Sequence, residues 1–316
     1  MIAIRTKKLT EGNIIPLNFD FAFTSIFNNE KNIDILENFL SVYLNVPLEK
    51  LKGKVKLNSR ELPLENKKAK RKQVDLIVDL EGEKINIELS NQIKNQGVID
   101  RNIVYACSIH ARQLKYRDQK YQNIQKTLQI NLNNFKCNKG KLKESYYIQT
   151  EEGKKLSEKF QIDIIDMEIG KGKCYTGSER KLARWCKVLT VQSMKELKEI
   201  LGEDLMTRES KEKLLDEVQE MSKDNDVIAL YSAYTQDELE KNSILYEETE
   251  KAREKGLAEG REVGLKQGLE QGLEQGEKLG IQEEKVAIAR SLISMGMKEI
   301  DISKATGLSI SEIQKL

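Results

Sequence analysis

The sequence predicts an α/β core followed by a helical C-terminal extension. Three observations carry this expectation. Apolar residues recur at helical spacing near the start of the chain. Five short segments between Val74 and Ile169 have strand character and are interleaved with helical ones. From there to the end, the sequence is charged and helical in pattern.

The chain has 316 residues, enough for one large domain or two modest ones. Hydrophobic residues make up 39% and charged residues 33%, the profile of a folded, highly charged protein. No run of eighteen apolar residues occurs, and Met1–Thr10 has no apolar signal core, so neither a membrane span nor a secretory leader is expected. Four cysteines (Cys107, Cys137, Cys174 and Cys186) lack C-x-x-C spacing, and His110 is the one histidine. Structural zinc and a disulfide framework are therefore not expected, which fits a reducing cytoplasm. A Ser–His–Asp mechanism would have to rest on His110 alone. The net charge of +2 hides an asymmetry: residues 1–150 carry 26 Lys+Arg against 16 Asp+Glu. A basic first half suits a polyanion such as nucleic acid, although a merely solvated charged surface gives the same count.

Taken in order, Asn18–Leu44 reads as helical. Phe19, Phe23, Ile26 and Phe27 share one face, and Ile33, Leu36, Phe39, Leu40 and Tyr43 repeat the pattern. Pro47 closes the region. A basic polar stretch to Lys72 reads as a strand followed by a loop. Val74–Leu80 and Lys84–Ser90 read as strands around Glu81-Gly82-Glu83, and Gly97–Tyr116 as an amphipathic helix. Lys126–Phe135, Ser145–Thr150 and Ile162–Ile169 are further strands. Lys181–Asp224 is mostly helical, with Trp185 and Leu189 as packing residues. The expected domains are residues 1–195, a helical segment 196–250, a glycine-repeat segment 251–282 and a small element 283–316.

Register brings two acids of the hairpin together. If Glu81-Gly82 form a two-residue turn, Leu80 pairs with Glu83 and Asp75 falls opposite Glu88. Alternation then puts Asp75, Ile77, Asp79, Lys84, Asn86 and Glu88 on one face, and Val74, Leu76, Val78, Leu80, Ile85, Ile87 and Leu89 on the other. Directly opposed carboxylates, with Cβ atoms about 4.5–5.5 Å apart, repel each other. A divalent cation would turn that repulsion into a binding site. The plainer alternative is a hairpin with one wet face, in which Asp79–Lys84 is an ordinary cross-strand pair. The run Lys67-Lys68-Ala69-Lys70-Arg71-Lys72 adjoins the hairpin and reads as a phosphate-contacting loop through Lys68, Lys70 and Arg71.

The tail is the most regular part of the sequence. Gly256, Gly260, Gly264, Gly268, Gly272, Gly276 and Gly280 recur every fourth residue. This is not the period of three that collagen needs. On a helix, a period of four drifts about 40° per step, giving a slowly winding smooth stripe. Each glycine costs about 0.5–1 kcal/mol relative to alanine. Two readings stay open, a helix ordered by a partner chain and a flexible linker. Lys285–Met295 reads as a helix ending at Gly296. Ile300–Ala305, Thr306-Gly307-Leu308-Ser309 and Ser309–Leu316 read as a short helix, turn and helix. Its last helix offers Lys315 as its sole cation, so a structural or protein-binding element fits as well as a DNA reader.

Asp75–Leu80, a short turn and Ile85-Asn86-Ile87-Glu88-Leu89 resemble the motif of the PD-(D/E)XK nuclease superfamily. Within it, the chain is similar to the Rpn family of recombination-promoting nucleases and transposases. The further matches are Asn18-x-Asp20-x-x-Phe23-x-x-x-Phe27, Arg101-x-x-x-Tyr105, Gln129-Ile130-Asn131-Leu132, and the glycine-repeat tail ending in Ile302-Ser303-x-x-Thr306-Gly307-Leu308-Ser309. The resemblance covers residues 15–195 plus the tail.

It implies a restriction-endonuclease-like core with a mixed sheet flanked by helices, Mg²⁺ (or Mn²⁺) as cofactor and DNA as substrate. It also implies Asp75 and Glu88 as catalytic metal ligands, with Asp20 as a supporting acid on the first helix and Arg101 on the nucleic acid. Asp20 could equally be a helix-start residue, and Arg101 with Tyr105 a packing pair. The chain departs from the pattern at Ser90, where the superfamily has lysine. Gln92, two residues on, and Lys72 or Lys84 are then the candidates to orient water or supply charge. Three readings follow: a Mg²⁺-dependent DNA endonuclease; a catalytically weakened nuclease fold that binds DNA or protein and self-associates through residues 251–316; and an interaction protein built on the glycine-stripe helix.

Overall fold

The computed structural model describes residues 9–62, 72–91, 96–114, 120–172 and 175–316. They form two compact units, one ending at Thr235 and the other spanning Gln236–Leu316.

In the first unit, α1 (Asp20–Phe27) and α2 (Ile33–Leu44) replace the single helix expected over Asn18–Leu44. The apolar spacing runs unbroken through the junction, but two asparagines interrupt the backbone. Asn28 ends α1 outside helical geometry, and the Asn29 side chain accepts a bond from the Lys31 N–H. Such local side-chain bonds compete with helix continuation. α2 ends on Asn45 in the left-handed region (φ 54°), two residues before Pro47.

The strands follow: β1 (Lys56–Asn58), β2 (Glu61–Leu62), β3 (Lys72–Gln73), β4 (Leu76–Leu80) and β5 (Glu83–Ser90). Helix α3 (Gln96–Ala111) precedes β6 (Lys126–Asn133), β7 (Lys143–Tyr147) and β8 (Phe160–Asp166). Six of these strands make one mixed sheet in the order β1-β4-β5-β6-β8-β7, while β2 and β3 pair separately. β5, β6 and β8 are parallel, and the flanking pairs are antiparallel. Strand β7 lies two residues before its expected start. β8 ends at Asp166 because Met167–Gly172 turns into helix α4. The stretch before Lys72, expected as strand then loop, also contributes β2, paired with β3.

One face of the sheet offers Leu76, Val78, Ile85, Ile87, Leu89, Leu128, Ile130 and Ile165 to the main core. Against it pack Phe23, Leu36 and Leu40 from α1 and α2, and Trp185 and Leu189 from α5 (Gly177–Thr190). Helices α6 (Met194–Ile200) and α7 (Arg208–Met221) add Leu197, Leu214 and Val218 to the same core. The start of α8 (Asn225–Ser294) belongs to this unit too, with the rings of Tyr231 and Tyr234 at 5.3 and 5.0 Å from Phe19. Each of these aromatic contacts adds about 0.5–1.5 kcal/mol beyond area burial.

The opposite face is not wet. α3 covers it, and Val74 and Ile77 pack with Ile109 and Tyr105. Val74 therefore leaves the face expected for it: the chain bends at Asp75, immediately before β4, and the bend breaks the alternation.

In the second unit, the rest of α8 is one uninterrupted helix through all seven glycines, and the helix expected over Lys285–Met295 is its last part, ending at Ser294, and not a separate element. A Cβ placed on any of those glycines would meet nothing within 4 Å. α9 (Glu299–Thr306) and α10 (Ile310–Ile313) fold back so that Ala289, Ile302, Leu308 and Ile313 form a small core. Gly307 turns the corner at φ 72°, and Ser309 and Glu312 form a reciprocal capping box. Because a Cβ is disfavoured in the left-handed region, Gly307→Ala is expected to destabilise this core by ~1 kcal/mol. Hydrogen exchange of the Ile302 amide should then quicken about fivefold, whereas an unchanged rate would show that the turn does not support the core. No helix among the described residues is long and apolar enough to cross a membrane.

Candidate active site

The β4–β5 hairpin pairs Leu80 with Glu83, Asp79 with Lys84, Ile77 with Asn86 and Leu76 with Ile87, the register of a two-residue turn. Gly82, at φ 80°, supplies the left-handed residue that this turn needs. One step beyond Leu76–Ile87, Asp75 and Glu88 meet, and they are cross-bonded. The Asp75 N–H donates to Glu88 Oε1 (3.2 Å), and the Leu89 N–H donates to Asp75 Oδ2 (2.8 Å). Glu88 is 3% exposed and Asp75 is half-buried.

Burial pushes the Glu88 carboxyl up to about 8, and the neighbouring Asp75 charge pushes the same way. Hydrogen bonds from Asn86 and the Asp75 N–H, and the Arg101 guanidinium, pull it partly back. Asp75 is raised by burial too, against the pull of the Leu89 N–H, Arg60 and Arg101. Two desolvated neighbouring carboxylates resist ionising together. The donor set is hard oxygen, and a pair of carboxylates is the usual protein contribution to a Mg²⁺ site, with water and phosphate completing the shell. The residues present therefore fit Mg²⁺ or Mn²⁺. Among the described residues no group of three or more His, Cys, Asp or Glu side chains is placed to hold a metal, so the acids stand as a pair.

The other residues singled out in the sequence fall in several places. Asp20 is exposed in the first turn of α1. Two residues before it, Asn18 Nδ2 donates to Asn91 Oδ1 (3.1 Å), which ties the entry of α1 to the end of β5 beside the acids. Ser90 is buried, and its carbonyl accepts from the Asn134 N–H (2.8 Å), leaving no cation at the position where the superfamily has lysine. Lys84, a candidate to supply that charge, is bound to Asp79 at 2.5 Å, so the ordinary cross-strand pairing holds there. Lys68, Lys70, Arg71 and Gln92 lie outside the described residues, as does the side chain of Lys72.

Arg101 and Tyr105 are brought together on α3, with the guanidinium 5.8 Å from the ring centroid. Arg101 is close enough to stabilise both acids as anions. Arg60 was not legible in the sequence as part of this site. Its Nε donates to the Val74 carbonyl (2.9 Å), and its charge reaches Asp75. It arrives through the pairing of β1 with β4, a nonlocal contact without a local signal.

A family model described as PD-(D/E)XK nuclease family transposase matches residues 17–248. No curated protein and no solved structure matches the chain.

Proposed function

The chain belongs to the PD-(D/E)XK nuclease family transposases, and from that premise we propose that it is a Mg²⁺- or Mn²⁺-dependent DNA endonuclease of the recombination-promoting type. The observation that carries this reading is the cross-bonded pair of a half-buried Asp75 and a buried Glu88. Asp75 and Glu88 would hold the divalent cation, which when bound would supply an acidified water and charge neutralisation at the scissile phosphate. The protein's own part is to hold the Glu88 carboxyl out of bulk water beside Asp75, with Asn86, the Asp75 N–H and Arg101 favouring its charged form against the cost of burial. Arg101, exposed on α3 beside the pair, is the cation best placed to meet a phosphate oxygen. Asp20 would support the same site from the start of α1. Lys68, Lys70 and Arg71 would neutralise the flanking phosphates. Gln92 and Lys72 would orient water and supply the charge that Ser90 lacks. Plasmid cleavage with and without Mg²⁺ or Mn²⁺ tests the reading, and wild-type protein inert with every divalent metal would sink it.

Ser90 favours a second reading, a weakened nuclease that holds metal and DNA with little turnover. Metal-dependent DNA binding without product would select it.

The helical tail is the proposed route to self-association, since its glycine stripe leaves room for another helix. The triple variant Gly264→Ala, Gly268→Ala, Gly272→Ala should gain about 1 kcal/mol of helix propensity per site. If the stripe packs against a second copy, the added methyls should nonetheless lower the mass measured by light scattering. An undiminished mass in the more helical variant would remove the stripe from the interface.

A further inference from the structure

The face of the sheet beneath α3 is lined by amides. β5 and β6 run in parallel register, with Asn86 beside Gln129 and Glu88 beside Asn131. Asn86 Nδ2 donates to Glu88 Oε1 (3.2 Å) and to Gln129 Oε1 (2.7 Å). Gln129 Nε2 donates to Asn131 Oδ1 (2.9 Å), and that oxygen also accepts from Asn102 Nδ2 (2.8 Å). Asn102 Oδ1 in turn accepts from Arg101 Nε (3.3 Å). Four buried amides thus run from α3 across β6 to the carboxylate on β5.

The direction of every rung follows from the two ends. In the ionised form that holds a cation, Glu88 only accepts, so Asn86 must turn its NH₂ towards it. A guanidinium only donates, so Asn102 must turn its oxygen towards Arg101. The two orders meet at Asn131 Oδ1, which accepts twice. The arrangement leaves Asn86 Oδ1 fully buried without a partner. A leucine of similar shape would avoid that loss, and unsatisfied buried acceptors are kept for a reason other than packing.

We propose that Asn86 is a positioning residue for the Glu88 carboxylate, and that the ladder Gln129–Asn131–Asn102 carries the placement of α3 to it. The inference rests on the proposed function only in treating Glu88 as a metal ligand. Partners behind a metal ligand set its orientation, and losing one costs 10–100-fold in metal affinity or activity. Because α3 also bears Arg101, the ladder fixes the helix that carries the cation and the acid it faces as one body.

The test uses the full chain. Mn²⁺ binding followed by electron paramagnetic resonance should weaken about 10–100-fold in Asn86→Leu, less in Gln129→Met and least in Asn102→Leu. Melting temperatures should not follow that order. Cleavage should fall more at limiting than at saturating metal, the mark of a positioning role. Separately and without metal, Glu88→Gln should shift the side-chain NH₂ signals of Asn86, Gln129, Asn131 and Asn102 in falling order. Mn²⁺ affinity unchanged in folded Asn86→Leu, or losses that track melting temperature, would overturn the proposal. So would NH₂ shifts confined to Asn86. If Asn86→Leu does not fold, Gln129→Met and Asn102→Leu carry the same comparison. If wild type binds no Mn²⁺, the metal reading itself fails, and the NH₂ signals alone decide whether the ladder exists.

Discussion

Glu88→Ala and Asp75→Ala are each expected to reduce plasmid cleavage by at least ~10³-fold, equivalent to about 4 kcal/mol of transition-state stabilisation. Among the described residues no third His, Cys, Asp or Glu joins the cross-bonded pair as a metal group, so neither acid has a substitute. DNA affinity should survive in both variants, or rise, because removing a negative charge beside Arg101 favours a phosphate. Glu88→Ala also strips an acceptor from Asn86 and from the Asp75 N–H, and unmet buried donors cost about 1–3 kcal/mol each. The isosteric Glu88→Gln and Asp75→Asn are therefore needed beside the alanines. If both isosteres fold and still cut at more than a tenth of the wild-type rate, the pair does not hold the catalytic cation.

The hairpin was legible because its signals are local. A glycine able to take φ 80° sits between two runs of period-two apolarity, and one register follows from the turn. What the sequence hides is the environment of the second face. Thr127, Gln129, Asn131 and Asn133 alternate with Leu128, Ile130 and Leu132, the pattern of a strand wet on one side. All four polar residues are nevertheless buried, because Gln129 and Asn131 bond to neighbouring amides and Thr127 meets His110 and Gln113. α3 misleads in the converse sense, with Ile103 and Val104 exposed while Asn102 and Ala106 face inwards. Its apolarity is no guide to its buried side once that side meets polar partners. Periodicity also failed between α1 and α2, where asparagine side-chain chemistry overrides an unbroken apolar spacing.

Without metal at pH 8, Glu88→Gln is expected to be more stable than wild type by several kcal/mol, and the advantage should vanish near pH 4. The sign follows from linkage. In the folded chain Glu88 titrates at about 8, above the ordinary 4.5 that it regains on unfolding. Between those values the native state binds the extra proton, so stability falls as pH rises, by up to about 1.4 kcal/mol per pH unit. Glutamine does not titrate and keeps the acceptor for Asn86 and Asp75, so this loss is absent from the variant. Taking the difference between the two proteins cancels titrations independent of Glu88, including His110, whose lowered value acts in the opposite sense. Saturating Mg²⁺ or Mn²⁺ narrows the gap: a ligand at 100 times its Kd adds about 2.7 kcal/mol to wild type, while the variant, left with one carboxylate, gains far less. Denaturant unfolding at pH 4, 6 and 8, with and without metal, reads both effects. A wild type that gains stability relative to Glu88→Gln from pH 5 to 8 without metal would mean that Glu88 is ionised in the apo fold. The strain between the two acids, and with it the main reason for a cation to bind there, would then be gone.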